Sequence, residues 1–284
     1  MSRISLPRNA PLALAALLGA CGLAACGGGS SSGGSGGAGG MGTGSGGSGD
    51  TRLAEFSFFV ISKEAVVALS GSQDGFGGDL RFGEATGLAG ADKICSSASE
   101  LGLAGAGSKI WRAFLSASTG GPGGGATNAK DRVGSGPWHD ASGRLVASTL
   151  DQLLKDRPGD ADAAIKNDLP NETGLPNHMD GAPGCTGSSC PDNHQVLTGS
   201  GSDGALYTAT TPATDATCDD WTSKAPSGHP RVGHSWPRTG SGINWMSSED
   251  GAGCAPCTTA TSNTACVGAT GGYGGFYCFA LEGG

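Results

Sequence analysis

Charge is scarce in this chain, and basic charge is scarcer still. Only 15% of its 284 residues are Asp, Glu, Lys or Arg, with 17 basic against 25 acidic side chains and a formal net charge of −8; about 25% is usual. No Lys/Arg cluster occurs, and Arg3 and Arg8 fall in the leader described below, so the remainder is more acidic still. Nucleic acids and heparin-like polyanions need a basic face to release counterions, so composition argues against both, and anionic lipid surfaces are disfavoured on the same ground. Catalytic signatures are also missing. His139, His178, His194, His229 and His234 form neither H-x-x-x-H nor H-E-x-x-H, and residues 51–284 contain no G-x-S-x-G. The parallel βαβ rhythm and internal repeats are absent too. Apolar runs are short: Ala10 to Ala20 has the length of a signal-peptide core rather than of a spanning helix.

That run follows Arg3 and Arg8 and ends twice in small residues before a cysteine, at Leu18-Gly19-Ala20-Cys21 and Leu23-Ala24-Ala25-Cys26. Both resemble the lipobox of bacterial lipoproteins, whose cysteine thiol accepts diacylglycerol. Cys26 is the favoured site, with Cys21 the alternative. The low-complexity tract starts directly after Cys26, and cleavage there leaves eight body cysteines, an even set in an oxidising compartment. Residues 27–50 hold 14 of the 55 glycines and almost nothing that can be buried. They form a flexible tether with an r.m.s. reach of about 25–30 Å. The chain thus divides into a signal peptide (1–26), a Gly/Ser tether (27–50) and one domain (51–284). It is expected to be anchored to the cell envelope by lipid alone. Gly27 after the lipidated cysteine permits sorting to the outer membrane, while the leaflet and face stay open.

Within the domain, Phe56 to Ile61 is rich in aromatic and β-branched residues and predicts a strand. Ala91, Ile94, Cys95, Ala98 and Leu101 recur at helical spacing, and Gly102 stops that helix. Ile110 to Leu115 predicts a buried strand and Arg144 to Ala147 a short one. Thr149 caps a brief helix through Lys155, with Leu150, Leu153 and Leu154 facing inward. Residues 156–194 read as loop. Val196-Leu197, Cys218 to Thr222 and Phe276 to Leu281 read as further strands. The pattern is α+β: mostly short antiparallel strands with one main and one short helix.

The order of these blocks resembles a known family. Gly87-Leu88-Ala89-Gly90-Ala91-Asp92, Cys95, Gly102-Leu103-Ala104-Gly105 and Trp111-Arg112-Ala113-Phe114-Leu115-Ser116 are followed by Leu197-Thr198-Gly199-Ser200, Asp203-Gly204 and Cys218-Asp219-Asp220-Trp221-Thr222. Cys266 and Tyr277-Cys278 close the series. The sequence is similar to the endostatin domain, a C-type-lectin-like fold, and to endostatin-like bacterial surface lipoproteins. A few extra residues, Ala106 to Ile110, depart from the pattern. The resemblance implies an adhesin-like binding role. It does not carry over endostatin's zinc or heparin sites, because the N-terminal histidines and the arginine surface have no counterpart. By resemblance Cys95 pairs with Cys278 and Cys218 with Cys266, which leaves Cys185–Cys190 and Cys254–Cys257 as local loops. The first bridge closes a loop worth roughly 4–5 kcal/mol in the chain-entropy model.

Candidate chemistry is sparse. Cys254-Ala255-Pro256-Cys257 has C-x-x-C spacing, but Thr-rich sequence follows instead of the helix that activates a redox cysteine. Asp156, Asp160 and Asp162, and Asp215, Asp219 and Asp220, raise the question of calcium. Neither set has EF-hand spacing, and Pro170-Asn171-Glu172 only shuffles a lectin calcium triplet. No cofactor is expected; calcium is left open, and zinc or a redox role at Cys254/Cys257 is the alternative to a structural disulfide, zinc needing Cys185 and Cys190 nearby. Trp236 and Trp245 lie in polar, Gly-rich sequence, as ligand anchors or as buried loop staples. The expected function is non-catalytic binding of an extracellular protein or glycan. The alternatives are a metal-assisted hydrolase using His229, His234 and an acid, and a passive envelope lipoprotein.

Overall fold

Phe58–Val60 forms the first strand, β1, after a single helical turn, α1 (Thr51–Glu55), in a computed structural model that describes residues 51–178, 193–208, 216–237, 243–259 and 265–281. The rest follow as α2 (Lys63–Ser70), α3 (Gly87–Gly102), β2 (Trp111–Ala113), β3 (Trp138–His139), β4 (Leu145–Ala147), α4 (Leu150–Leu153), α5 (Ala163–Asn167), β5 (Gln195–Leu197), β6 (Arg231–His234), β7 (Glu249–Asp250) and β8 (Gly272–Ala280). The architecture is mixed α+β, as expected. Among the described residues no helix is long and apolar enough to cross a membrane.

The nine residues of β8 are all buried, and the main sheet is built on them. Phe58, Phe59 and Val60 pair antiparallel with Phe279, Cys278 and Tyr277. Trp111 to Ala113 pair antiparallel with Ala280 to Cys278. β5 runs parallel beside the start of β8, and the sheet continues outward through β6 to β7, both antiparallel. A strand covered on both faces reads as a continuous apolar run, and Phe276-Tyr277-Cys278-Phe279 does. β3 and β4 form a separate hairpin-like pair. The compact unit runs from Gly47 to Gly284.

Helices α3 and α4 carry side-chain caps, of which only that at Thr149 is expected from the sequence. Thr86 Oγ1 accepts from Ala89 N at the start of α3, and Thr149 Oγ1 accepts from Gln152 N at the start of α4. Ala91, Ile94, Cys95 and Ala98 are buried, whereas Leu101, on the last turn, is 57% exposed and falls off the stripe. In α4 only Leu153 is fully buried, and Leu150 and Leu154 pack against the core from its margin. α2, α5, β6 and β7 were not foreseen. All four are short, and none repeats its apolar residues for long enough to set a period.

The segment 218–222 corrects the expected strand. Cys218, Asp219, Asp220 and Trp221 have φ of 50°, 55°, 50° and 64°, a left-handed turn. That conformation costs roughly 1–2 kcal/mol per residue away from glycine, so its anchors must hold it. Cys218 is bonded to Cys254, and Trp221 is buried with its Nε1 donating to Ser116 O at 2.8 Å. The Asp220 carboxylate accepts from Ser118 N (2.6 Å), Ser118 Oγ (2.9 Å) and Thr119 Oγ1 (2.7 Å).

Cys95–Cys278 ties α3 to β8 with Cα atoms 5.5 Å apart, as the resemblance implied. The inner pairings differ: Cys218 bonds Cys254, and Cys257 bonds Cys266. Ala255, between the two cysteines of the C-x-x-C, bridges to Cys266, and Cys254 and Cys257 each bond a different partner. The C-x-x-C is therefore split between two bridges. Cys185 and Cys190 lie outside the described residues, as do Cys21 and Cys26.

Candidate functional site

The three outer strands gather two histidines and a glutamate. Gln195 of β5 pairs with His234 of β6, and Val232 of β6 pairs with Glu249 of β7. His234 and Glu249 thus share one face of the sheet, two residues apart along β6. His194, just before β5, turns its ring edge-on to that of His234, with centroids 4.5 Å apart and planes at 85°. His234 Nε2 stands 3.0 Å from Glu249 Oε1, and His194 Nε2 stands 3.6 Å from the same oxygen. One ligand atom from each of the three residues lies within 4.8 Å of the others. Both imidazoles are buried, while the Glu249 side chain keeps 39% of its surface in solvent.

The backbone behind this cluster is over-determined. Arg157 is half-buried, and its guanidinium donates to His234 O and Ser235 O (2.6 Å each) and to Lys166 O (2.8 Å). Burial lowers the Arg157 pKa to about 10, and the group remains a cation at neutral pH. Ser235 N donates to His194 O at 2.8 Å, which locks the two histidine segments together. Gly233 leaves room for the backbone of the loop at Trp245: a Cβ there would meet Trp245 O at 1.8 Å. A relay sets the carboxylate. Thr270 Oγ1 donates to Gln195 Oε1 (2.7 Å), and Gln195 Nε2 donates to Glu249 Oε1 (2.8 Å). Burial pushes the Glu249 carboxyl up, but the Gln195 and His234 hydrogen bonds and the two histidine charges outweigh it and hold it below its ordinary value.

Beside the cluster lies an aromatic wall. Trp236 is half-buried, with its ring 4.6 Å from His178 and 5.9 Å from His194. Its Nε1 is buried and makes no hydrogen bond among the described residues. His178 Nδ1 is in close contact with Asp168 Oδ2. Burial raises the Asp168 carboxyl above its ordinary value against the opposing pull of His178.

The two tryptophans therefore separate. Trp245 is fully buried among Phe114, Tyr277 and Phe279, and its Nε1 donates to Leu153 O and Lys155 O. It is a core residue, not a surface anchor; its polar sequence neighbours form the loop that carries it inward. Of the hydrolase candidates, His234 meets an acid, but His229 stands apart with Nδ1 3.1 Å from Gly251 O. Among the described residues, four of the acids in the calcium question hold contacts of their own. Asp156 accepts from Asn244, Asp160 from Ser148, and Asp162 caps α5. Asp220 holds the left-handed turn, and Asp215 lies outside the described residues. Glu172 is buried and accepts from Ser62 N and Oγ at the start of α2. Glu249 escaped sequence reasoning, and His194 reads only as one of five histidines outside any motif, because they lie 15 and 40 residues from His234 and no local spacing marks them. No model of a known protein family matches the sequence, and no curated protein matches it either.

Proposed function

We propose that this chain is a lipid-anchored protein of the bacterial cell envelope, with an endostatin-like, C-type-lectin-like head that binds an extracellular protein or glycan without catalysis. Trp236 carries the reading. It is a large, rigid ring that remains partly in solvent, packed against two histidines at a sheet edge, with its N–H unspent among the described residues. Buried indole N–H groups ordinarily have a partner, and aromatic anchors on stiff scaffolds dominate binding surfaces. The acidic balance of the chain directs it toward neutral or basic partners.

A glycan and matrix-protein array probed with residues 51–284 tests this. Trp236→Ala is expected to lose binding by at least tenfold while its urea midpoint stays at the wild-type value. Trp245→Ala is expected to lose about 3–5 kcal/mol of stability instead. Equal binding by wild type and Trp236→Ala removes that tryptophan from the site, and silence of the wild type on both arrays rejects the binding role. A second reading, a metal-assisted hydrolase, draws on one observation: two His and one Glu are the protein ligands of one class of catalytic zinc site. Metal-dependent turnover in a hydrolase substrate screen, lost in Glu249→Gln, would establish it.

A further inference from the structure

We propose that His194, His234 and Glu249 form a binding site for a zinc-class divalent transition metal, which clips β5, β6 and β7 together at the edge of the sheet. The site is independent of which ligand the head recognises.

Geometry carries the argument. Zinc–nitrogen and zinc–oxygen bonds of about 2.0–2.1 Å set tetrahedral donor–donor edges near 3.3–3.4 Å. The two distances to Glu249 Oε1, 3.0 and 3.6 Å, fall on either side of that value. Small side-chain movements bring both to it, since the ligand atoms already converge within 4.8 Å. Imidazole and carboxylate together suit zinc, cobalt, nickel or copper, whereas calcium takes oxygen donors and magnesium keeps its waters. Three protein donors leave a fourth position for water, on the side where Glu249 reaches solvent.

The surroundings match what a metal requires beyond its ligands. Outer hydrogen bonds orient the ligands of metal centres, and the Thr270–Gln195–Glu249 relay does so for the carboxylate. Arg157 fixes the backbone of His234 from behind, and Ser235 N fixes that of His194. Gln195 and Arg157 are positioning residues. On metal uptake each imidazole coordinates through Nε2 with its proton on Nδ1, so the Nε2···Oε1 hydrogen bond gives way to two bonds to the ion.

The full chain, stripped with a chelator and kept non-reduced so that its disulfides persist, is titrated with Co²⁺ and then Zn²⁺. Wild type is expected to take up one equivalent of Co²⁺, with the visible bands of a four- or five-coordinate ion, and Zn²⁺ is expected to bleach them. Glu249→Gln keeps the side-chain shape at a partly exposed position. It is expected to weaken uptake more than a hundredfold, beyond the 10–100-fold of an outer-shell change, while the protein stays cooperatively folded, with a metal-free unfolding midpoint lowered only modestly by loss of the charged acceptor for Gln195 and His234. Gln195→Ala is expected to weaken uptake about 10–100-fold, and His229→Asn to leave it unchanged. Absence of Co²⁺ bands in wild type overturns the proposal. So does uptake that survives Glu249→Gln, or uptake that falls as far in His229→Asn.

Discussion

Asp220 shows how one side chain can hold an unfavourable backbone. It sits third in four consecutive left-handed residues, and its carboxylate gathers donors from Ser118, Thr119 and Thr217. Burial pushes its carboxyl up, but the Thr119, Ser118 and Thr217 hydrogen bonds outweigh that and hold it below the ordinary value. A depressed acid stabilises the fold above the unfolded-state value near 3.9 and loses that contribution as pH falls through its own lower value. Asp220→Asn keeps a residue tolerant of positive φ and removes the charge. It is expected to cost about 2 kcal/mol at neutral pH, through weakened hydrogen bonds to a charged acceptor. Its urea midpoint should also depend less on pH than that of wild type below about pH 4. Parallel curves for the two proteins would show that the turn is held by Cys218 and Trp221 alone.

Among the elements, the disulfides divide the stapling unequally. The bridges close sequence separations of 183, 36 and 9 residues. Chain entropy assigns them about 5, 4 and 2.5 kcal/mol respectively. Paired Cys→Ala variants should therefore lose stability in the order Cys95/Cys278, Cys218/Cys254, Cys257/Cys266. Non-reducing peptide maps should recover Cys218–Cys254 rather than Cys218–Cys266. Sequence reached some of these elements and not others. The α3 stripe, the Thr149 cap of α4 and the buried run of β8 are local patterns, and Cys95–Cys278 came with the block order around them. The inner pairings were not legible, because they depend on a left-handed turn that Cys218-Asp219-Asp220-Trp221 does not announce. The metal-type cluster was illegible for a related reason. Its three ligands meet only through strand register, across β5, β6 and β7, where two of the strands are too short to leave a period.

At the scale of the whole molecule, the sequence predicts a folded head, residues 51–284, held from a bilayer by a tether, residues 27–50, that cannot be buried. The described residues contain no helix able to span a membrane. Attachment, on this reading, rests on covalent lipid at Cys26. A diacylglycerol alone adds two acyl chains, and two chains give stable anchoring where one gives only marginal binding. The mature protein is therefore expected in the membrane fraction of its native cell, resistant to high salt and released by detergent. Mass spectrometry of the detergent-extracted N-terminal peptide should find acylated Cys26 followed by Gly27. Cys26→Ser should move the protein to the soluble fraction with its disulfide map unchanged, because the eight body cysteines form an even set without it. An acyl group on Cys21 would shift the site and keep the anchor. An unmodified N-terminus with the protein still in membranes would mean that something other than lipid holds it there.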